Sequence, residues 1–239
     1  MKLLPAIDII NQQPVRLYQG DYNKKEVVGQ SVLEIAKSFE QAGSDMIHLV
    51  DLDGAKSGKK ENAPLICQVA QSVDVPVEIG GGIRSMEDID YYLSQGVSRV
   101  ILGTKALQDK TFLEQALEKY KEKIAVGMDC KDGYVCGSGW LETSDIYYLD
   151  FAKEMEQMGV QTIIFTDIST DGTLQGPNLD MLKKIQDTCS VDIVASGGIK
   201  DLTHIQQLKD LGVSAAIMGK AIYSKTLDLK EAIALCQEG

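Results

Sequence analysis

The chain has 239 residues, 44% hydrophobic and 25% charged, with 24 basic against 35 acidic side chains and a net charge of −11. It is long enough to bury a large core, and its acidity argues against nucleic acid or an anionic membrane as partner. Five cysteines (Cys67, Cys130, Cys136, Cys189, Cys236) without a CxxC pair predict neither disulfides nor a metal site, and the absence of a membrane-length apolar run or a signal peptide after Met1 predicts a cytoplasmic protein.

Apolar runs bounded by turn residues predict eight strands, near residues 3–8, 46–51, 76–79, 99–102, 123–128, 161–166, 192–195 and 214–218. Helical patterns lie between them: Val32, Leu33, Ile35, Ala36 and Phe39 return at three- and four-residue spacing, as do Ile205, Leu208 and Leu211. The first run ends on Asp8. The second carries His48 and ends Val50-Asp51, before Leu52-Asp53-Gly54. The third leads into Gly80-Gly81-Gly82-Ile83-Arg84 and the fourth into Gly103-Thr104. The fifth ends on Asp129, and the single tryptophan, Trp140, follows Gly137-Ser138-Gly139. The sixth ends Phe165-Thr166-Asp167, ahead of a segment dense in hydroxyls and carboxylates that includes Asp171. Ser196-Gly197-Gly198 and Gly219-Lys220 follow the seventh and eighth.

The chain also repeats itself. Gly81-Gly82-Ile83, Gly96-Val97-Ser98, Ile101 and Gly103 recur 116 residues later as Gly197-Gly198-Ile199, Gly212-Val213-Ser214, Ile217 and Gly219. An offset held over 23 positions predicts a single α/β (β/α)8 TIM barrel built from two duplicated half-barrels, about residues 1–120 and 121–239. Glycine at the carboxyl ends of strands lets backbone N–H groups approach an anion, so the matched turns predict two phosphate sites, one per half. Asp8 and Asp129 match at an offset of 121, which places an indel of five residues between the halves and one carboxylate at the same point of each. Two carboxylates facing one cavity suit a general base and a general acid in an isomerisation, with the roles interchangeable at this level. Thr166 replaces Val50 in the alignment, a polar difference that symmetry does not require. Asp53 and the Asp171-Gly172 step also fit plain turns. His48 shares a strand face with Val50 and is a candidate substrate contact, whereas His204, on the helix after the seventh strand, reads as a surface residue. Trp140, in a glycine-flexed loop, is placed to stack on a planar ring, and Gly20 and Gly137-Ser138-Gly139 are expected lid hinges.

The opening Pro-Ala-Ile-Asp-Ile, Val15 to Tyr22, Val50 to Ala55, Gly80 to Arg84, Gly139-Trp140-Leu141-Glu142 and Ser196 to Ile199 together resemble the ProFAR isomerase family of histidine biosynthesis. The resemblance spans essentially the whole chain. It implies an Amadori rearrangement of an aminoaldose to an aminoketose, without metal or organic cofactor, on a small substrate carrying a phosphate at each end, by a monomer. It further implies Asp8 as base at C2, Asp129 as acid at the ring oxygen with Asp171 as competitor, and Thr166 orienting the site. Gly81, Gly82, Gly103 and Thr104 would hold one phosphate, and Ser196, Gly197, Gly198, Gly219 and Lys220 the other, with Arg16, His48, Arg84 and Trp140 as further contacts. Cys130-Lys131 after Asp129 and the basic Lys56 to Lys60 loop depart from the family pattern. The pathway's cyclase and phosphoribosylanthranilate isomerase carry a cysteine in the first strand, where this chain has Ala6-Ile7-Asp8; a dual-substrate isomerase and a non-catalytic phosphosugar-binding barrel are the remaining alternatives.

Overall fold

A computed structural model of the chain describes residues 1–29 and 31–237. Eight parallel strands form the barrel: β1 (Lys2–Ile10), β2 (Ile47–Asp51), β3 (Val77–Gly80), β4 (Arg99–Leu102), β5 (Ile124–Lys131), β6 (Thr162–Asp167), β7 (Asp192–Ser196) and β8 (Ala215–Met218). Each pairs with the next, and β8 pairs with β1 through Lys2↔Ala215 to Pro5↔Met218, so the sheet closes without an edge.

Alternation along each strand divides the apolar residues between two cores. Outward-facing Leu3, Ile7, Ile47, Leu49, Ile79, Val100 and Leu102 pack against the helical ring. Inward-facing Leu4, Ala6, Ile101, Ala125, Ile164, Val194, Ala215 and Ile217 fill the barrel. The ring is made by eight helices among the described residues: Val32–Ala42, Ala63–Ser72, Met86–Ser94, Lys110–Tyr120, Tyr148–Gln157, Leu179–Gln186, Leu202–Leu211 and Leu229–Gln237. Their ends follow local chemistry. Ser31 accepts from the Glu34 amide, Ser85 and Asp88 form a reciprocal capping box, and Gly43, at φ +89°, closes the first helix in a left-handed conformation that a side chain would oppose.

The expected strands all form, but β1 and β5 run past Asp8 and Asp129 rather than ending on them. Each continues into an antiparallel hairpin: Gln13–Tyr18 with Asp21–Val27 after β1, and Tyr134–Gly137 with Glu142–Tyr147 after β5. The extra ladder extends the barrel strand, so both aspartates lie between a parallel and an antiparallel neighbour: Asp8 between Val50 and Val15, Asp129 between Thr166 and Cys136. His204 stands at the surface half-buried, its ring against Gly176 and its Nδ1 accepting from the Lys200 amide at 3.2 Å. Among the described residues no helix is long and apolar enough to cross a membrane.

Candidate active site

The carboxyl ends of the strands surround a cavity of about 430 Å³ whose wall includes Asp8, Arg16, His48, Arg84, Asp129, Trp140, Thr166, Asp171 and Ser196. Gly81, Gly82, Gly103 and Thr104 open into the same cavity. Gly197, Gly198, Gly219 and Lys220 line a separate space of about 30 Å³, which shares Arg16, Asp171, Ser196 and Ile217 with the larger one. The sequence-predicted site residues are therefore gathered at one end of the barrel, in two compartments.

Arg16 makes the partition. Its Nη1 lies 2.9 Å from Asp8 Oδ2, and its guanidinium packs against Gly219, where a Cβ would collide with it. Asp8, paired with a permanent cation, stands as a carboxylate able to accept a proton. Arg16 Nε is buried without a protein partner, a donor directed at nothing the described residues provide.

The other two carboxyls are raised above the ordinary carboxylate range. Burial pushes the Asp129 carboxyl up; hydrogen bonds from the Trp140 indole N–H and the Thr166 hydroxyl, with the nearby His48 ring, pull it partly back. Asp171 is pushed up to about 6, first by burial and then by Asp8 and Asp129, against the opposing attraction of Arg16 and Lys220. The Asp171 backbone does form a turn, its amide donating to the Ile168 carbonyl at 3.3 Å, while its side chain lines the cavity. The side chains that brace the turn are its neighbours', with Asp167 accepting from Ser169 and the Thr170 carbonyl from the Thr173 hydroxyl.

The glycine turns have the conformations that the repeat requires. Gly81 and Gly82 lie at φ +105° and +76°, Gly197 and Gly198 at +92° and +79°. A Cβ on Gly81 would strike the Asp51 carbonyl, and one on Gly197 would crowd the Asp167 carbonyl at 3.3 Å. Gly103 (φ −98°, ψ −98°) and Gly219 (φ −111°, ψ −93°) share a second conformation and start the short helices Thr104–Gln108 and Lys220–Tyr223. At Gly81, Gly82 and Gly198 the neighbouring backbone approaches closely, whereas Gly103 is open and Gly219 faces the Arg16 side chain.

The hairpins lie over the mouth and meet each other. The Trp140 ring packs on Gly20, leaving no room for a side chain there, so the loop after β1 touches the loop after β5. Trp140 itself sits at φ +72°, following Ser138 and Gly139 at +54° and +64°. Thr104 Oγ1 accepts from the Ser138 amide at 2.8 Å, which ties the second hairpin to the first glycine cradle. Arg84 packs on Gly58, at the edge of the same cradle.

Two groups escaped the sequence reading. Asp51, 0% exposed, accepts from the Gly54 amide and from Asn62 Nδ2 at 2.7 Å, and Asp167 accepts from Asn178 Nδ2 at 2.7 Å, so both strand-end aspartates hold loops rather than substrate. The matching offset of Asp51–Asn62 and Asp167–Asn178 was the signal available. Asp53 serves the same network, accepting from the Asn11 amide. The second group is Glu78 and Arg99, which anchor His48 from inside the barrel.

The chain matches, over residues 2–228, the family described as Histidine biosynthesis protein. It is 59% identical over 239 residues to a protein of Clostridium beijerinckii (strain ATCC 51743 / NCIMB 8052), covering 100% of both chains. It is 60% identical over 233 residues to one of Clostridium botulinum (strain Alaska E43 / Type E3), covering 98% of each, and 51% identical over 238 residues to one of Clostridium novyi (strain NT), covering 100% of each. All three relatives bear the name 1-(5-phosphoribosyl)-5-((5-phosphoribosylamino)methylideneamino)imidazole-4-carboxamide isomerase, here ProFAR isomerase.

Proposed function

The chain belongs to the histidine biosynthesis protein family, and from that premise we infer that it is the ProFAR isomerase, turning the phosphoribosylamino aldose of its substrate into the corresponding ketose. The substrate's name contains two 5-phosphoribosyl groups, and the chain has two glycine cradles to receive two phosphates. Arg16 Nε is the donor left for the phosphate of the second cradle, and Arg84 flanks the first. The observation that carries the chemistry is the split among the cavity carboxyls: Asp8 ion-paired with Arg16, Asp171 pushed up to about 6.

Asp171 delivers its proton to the ring oxygen, the C1–O bond breaks, and the nitrogen lone pair forms an iminium at C1. Asp8 removes the proton from C2, and the electrons of that C–H bond form the C1=C2 enolamine. Loss of the enol proton and gain of one at C1 give the ketose, an isomer of the starting material. A donor near pH 6 is well matched to such a step at neutral pH. Asp129, which accepts from both Trp140 and Thr166, is suited to fixing those two side chains, and this favours Asp171 over it as the proton donor. We take the two halves as repeated copies in a protein that acts as a single chain in the cytoplasm.

The test is turnover by the purified protein of ProFAR and, separately, of phosphoribosylanthranilate. Conversion of the first at enzymatic rates is expected. Conversion of only the second would transfer the protein to tryptophan biosynthesis, and binding of ProFAR without turnover would make it a phosphosugar-binding barrel.

A further inference from the structure

Below the acid–base residues, charged groups occupy a layer of the barrel interior that packing alone would fill with aliphatic side chains. Glu78 on β3 is 0% exposed, and both its oxygens are engaged. Oε1 accepts from Nδ1 of His48 on β2 at 2.6 Å, and Oε2 accepts from Nε and Nη2 of Arg99 on β4 at 2.8 and 2.7 Å. The same layer in the other half, 116 residues on, is Ile164, Val194 and Ala215. Closing this barrel does not require ions at that depth. Buried ion pairs seldom add stability over aliphatic residues of similar volume, so stability is a poor reason for their presence.

One member of the group reaches the cavity. His48 lines the wall with Asp129, and its Nε2 has no hydrogen-bond partner among the described residues. Burial alone would push the Glu78 carboxyl up, but His48 and Arg99 hold it below the usual range. Arg99 does not give up its proton, and a carboxylate only accepts, so the hydrogen between His48 and Glu78 belongs to Nδ1.

We propose that Glu78 and Arg99 are positioning residues that lock His48 with Nδ1 protonated and Nε2 turned into the cavity, where it hydrogen-bonds a hydroxyl of the bound phosphosugar. This rests on the isomerase reading above. A fixed ring holds that hydroxyl in one orientation through ring opening, so Glu78 and Arg99 act on the rate through His48 and touch no substrate themselves.

The chain has 2 histidines, so 15N-histidine labelling gives two ring systems, separable with a His204→Gln variant. The expected spectrum of the unsubstituted protein shows His48 with Nδ1 protonated; a neutral ring protonated only at Nε2 overturns the proposal. Glu78→Val/Arg99→Ala copies Val194 and Ala215 from the other half and keeps His48 without its anchor. We expect kcat on ProFAR to fall about tenfold to a hundredfold, the scale of a substrate contact displaced by about an ångström, and the His48 nitrogens to shift toward a mixture of tautomers. A double variant with kcat within twofold overturns the proposal even if its melting temperature moves, since that is the behaviour of a purely structural layer. If the double variant does not fold, His48→Gln at the cavity wall decides with the spectrum: unchanged kcat overturns the proposal, a loss supports it. Absence of turnover in the unsubstituted protein would instead count against the isomerase reading, while the spectrum would still report on the lock.

Discussion

In the first half of the barrel the inner layer is His48, Glu78 and Arg99, and the layer above it, at the mouth, is Val50, Gly80 and Ile101. In the second half, 116 residues on, the inner layer is Ile164, Val194 and Ala215, and the mouth layer is Thr166, Ser196 and Ile217. Apart from Asp8 and Asp129, which stand at the rim in both halves, polarity lies deep in one half and at the rim in the other. The hairpins differ in the same spirit. Arg16 and Gly137 each follow the residue that pairs with the strand aspartate, and each reaches the opposite half's cradle: Arg16 packs on Gly219, while Gly137 lies beside Thr104. An arginine narrows the second cradle, and a glycine leaves the first open. Ala55 stands where the second half has Asp171. The backbone turns are repeated and the side chains that perform chemistry are not, as expected of a scaffold that grips two similar ends of a substrate while reacting at one.

The largest effects should come from erasing the chemical asymmetry. Asp8→Asn and Asp171→Asn should each reduce kcat about a thousandfold, within the usual range for general acid–base residues, with KM changed less than about tenfold. Asp129→Asn should cost much less, about tenfold, if Asp129 serves Trp140 and Thr166 rather than the ring oxygen. Steady-state kinetics on the three variants checks this, and a loss at Asp129 equal to that at Asp171 would reverse the assignment of the acid. The loss of the Asp171 proton in the free protein also predicts that kcat/KM declines as pH rises above about 6, a limb that Asp171→Asn should abolish.

Next comes a swap between halves. Thr166→Val gives the second half the residue of the first and removes a hydrogen bond to Asp129, worth about 1.5–3 kcal/mol when the acceptor is charged. Kcat should fall about tenfold to a hundredfold, whereas Val50→Thr should leave it nearly unchanged. The hairpin comparison predicts smaller effects, chiefly on binding. Arg16→Gly removes a charged donor from the second cradle and Gly137→Arg adds bulk at the first, so each should raise KM about tenfold. Only Arg16→Gly should also lower kcat, because it leaves Asp8 without its partner. Isothermal titration with inorganic phosphate on both variants separates weaker anchoring from altered chemistry.

Much of this was legible in the sequence because glycine has few substitutes where φ is positive and a neighbouring carbonyl is close. The offset of Gly81-Gly82 to Gly197-Gly198 carried the fold, and strand-end logic carried Asp8, Asp129 and Thr166. The hairpins were not legible: Asp21–Val27 is solvent-facing and polar, and without a buried face a strand has no alternation to read. Glu78 and Arg99 were missed for a different reason. They lie 30 and 51 residues from His48, and only the parallel pairing of neighbouring strands brings the three into register. Comparing those positions with Val194 and Ala215 would have flagged them, since the repeat has apolar residues there.

The smallest expected effect bears on stability. Asp171, with a pKa near 6 in the folded chain against about 3.9 in an unfolded one, binds a proton between those values that the unfolded chain has released. Because the native state then holds more protons, stability falls as pH rises from about 4 to about 6 and stays reduced above it. The difference corresponds to at most about 3 kcal/mol at neutral pH, at about 1.4 kcal/mol for each tenfold change in proton affinity. Asp171→Asn keeps the shape and removes the ionisation, so it should raise the melting temperature by a few degrees at pH 7.5, and the gain should vanish below pH 4. Ala55→Asp, which writes the same residue into the first half, should show no gain at pH 7.5. Equal melting temperatures for Asp171→Asn and the unsubstituted protein at both pH values would mean that the Asp171 carboxyl ionises in the folded chain as it does in water, and the division of labour between the halves would lose its proton donor.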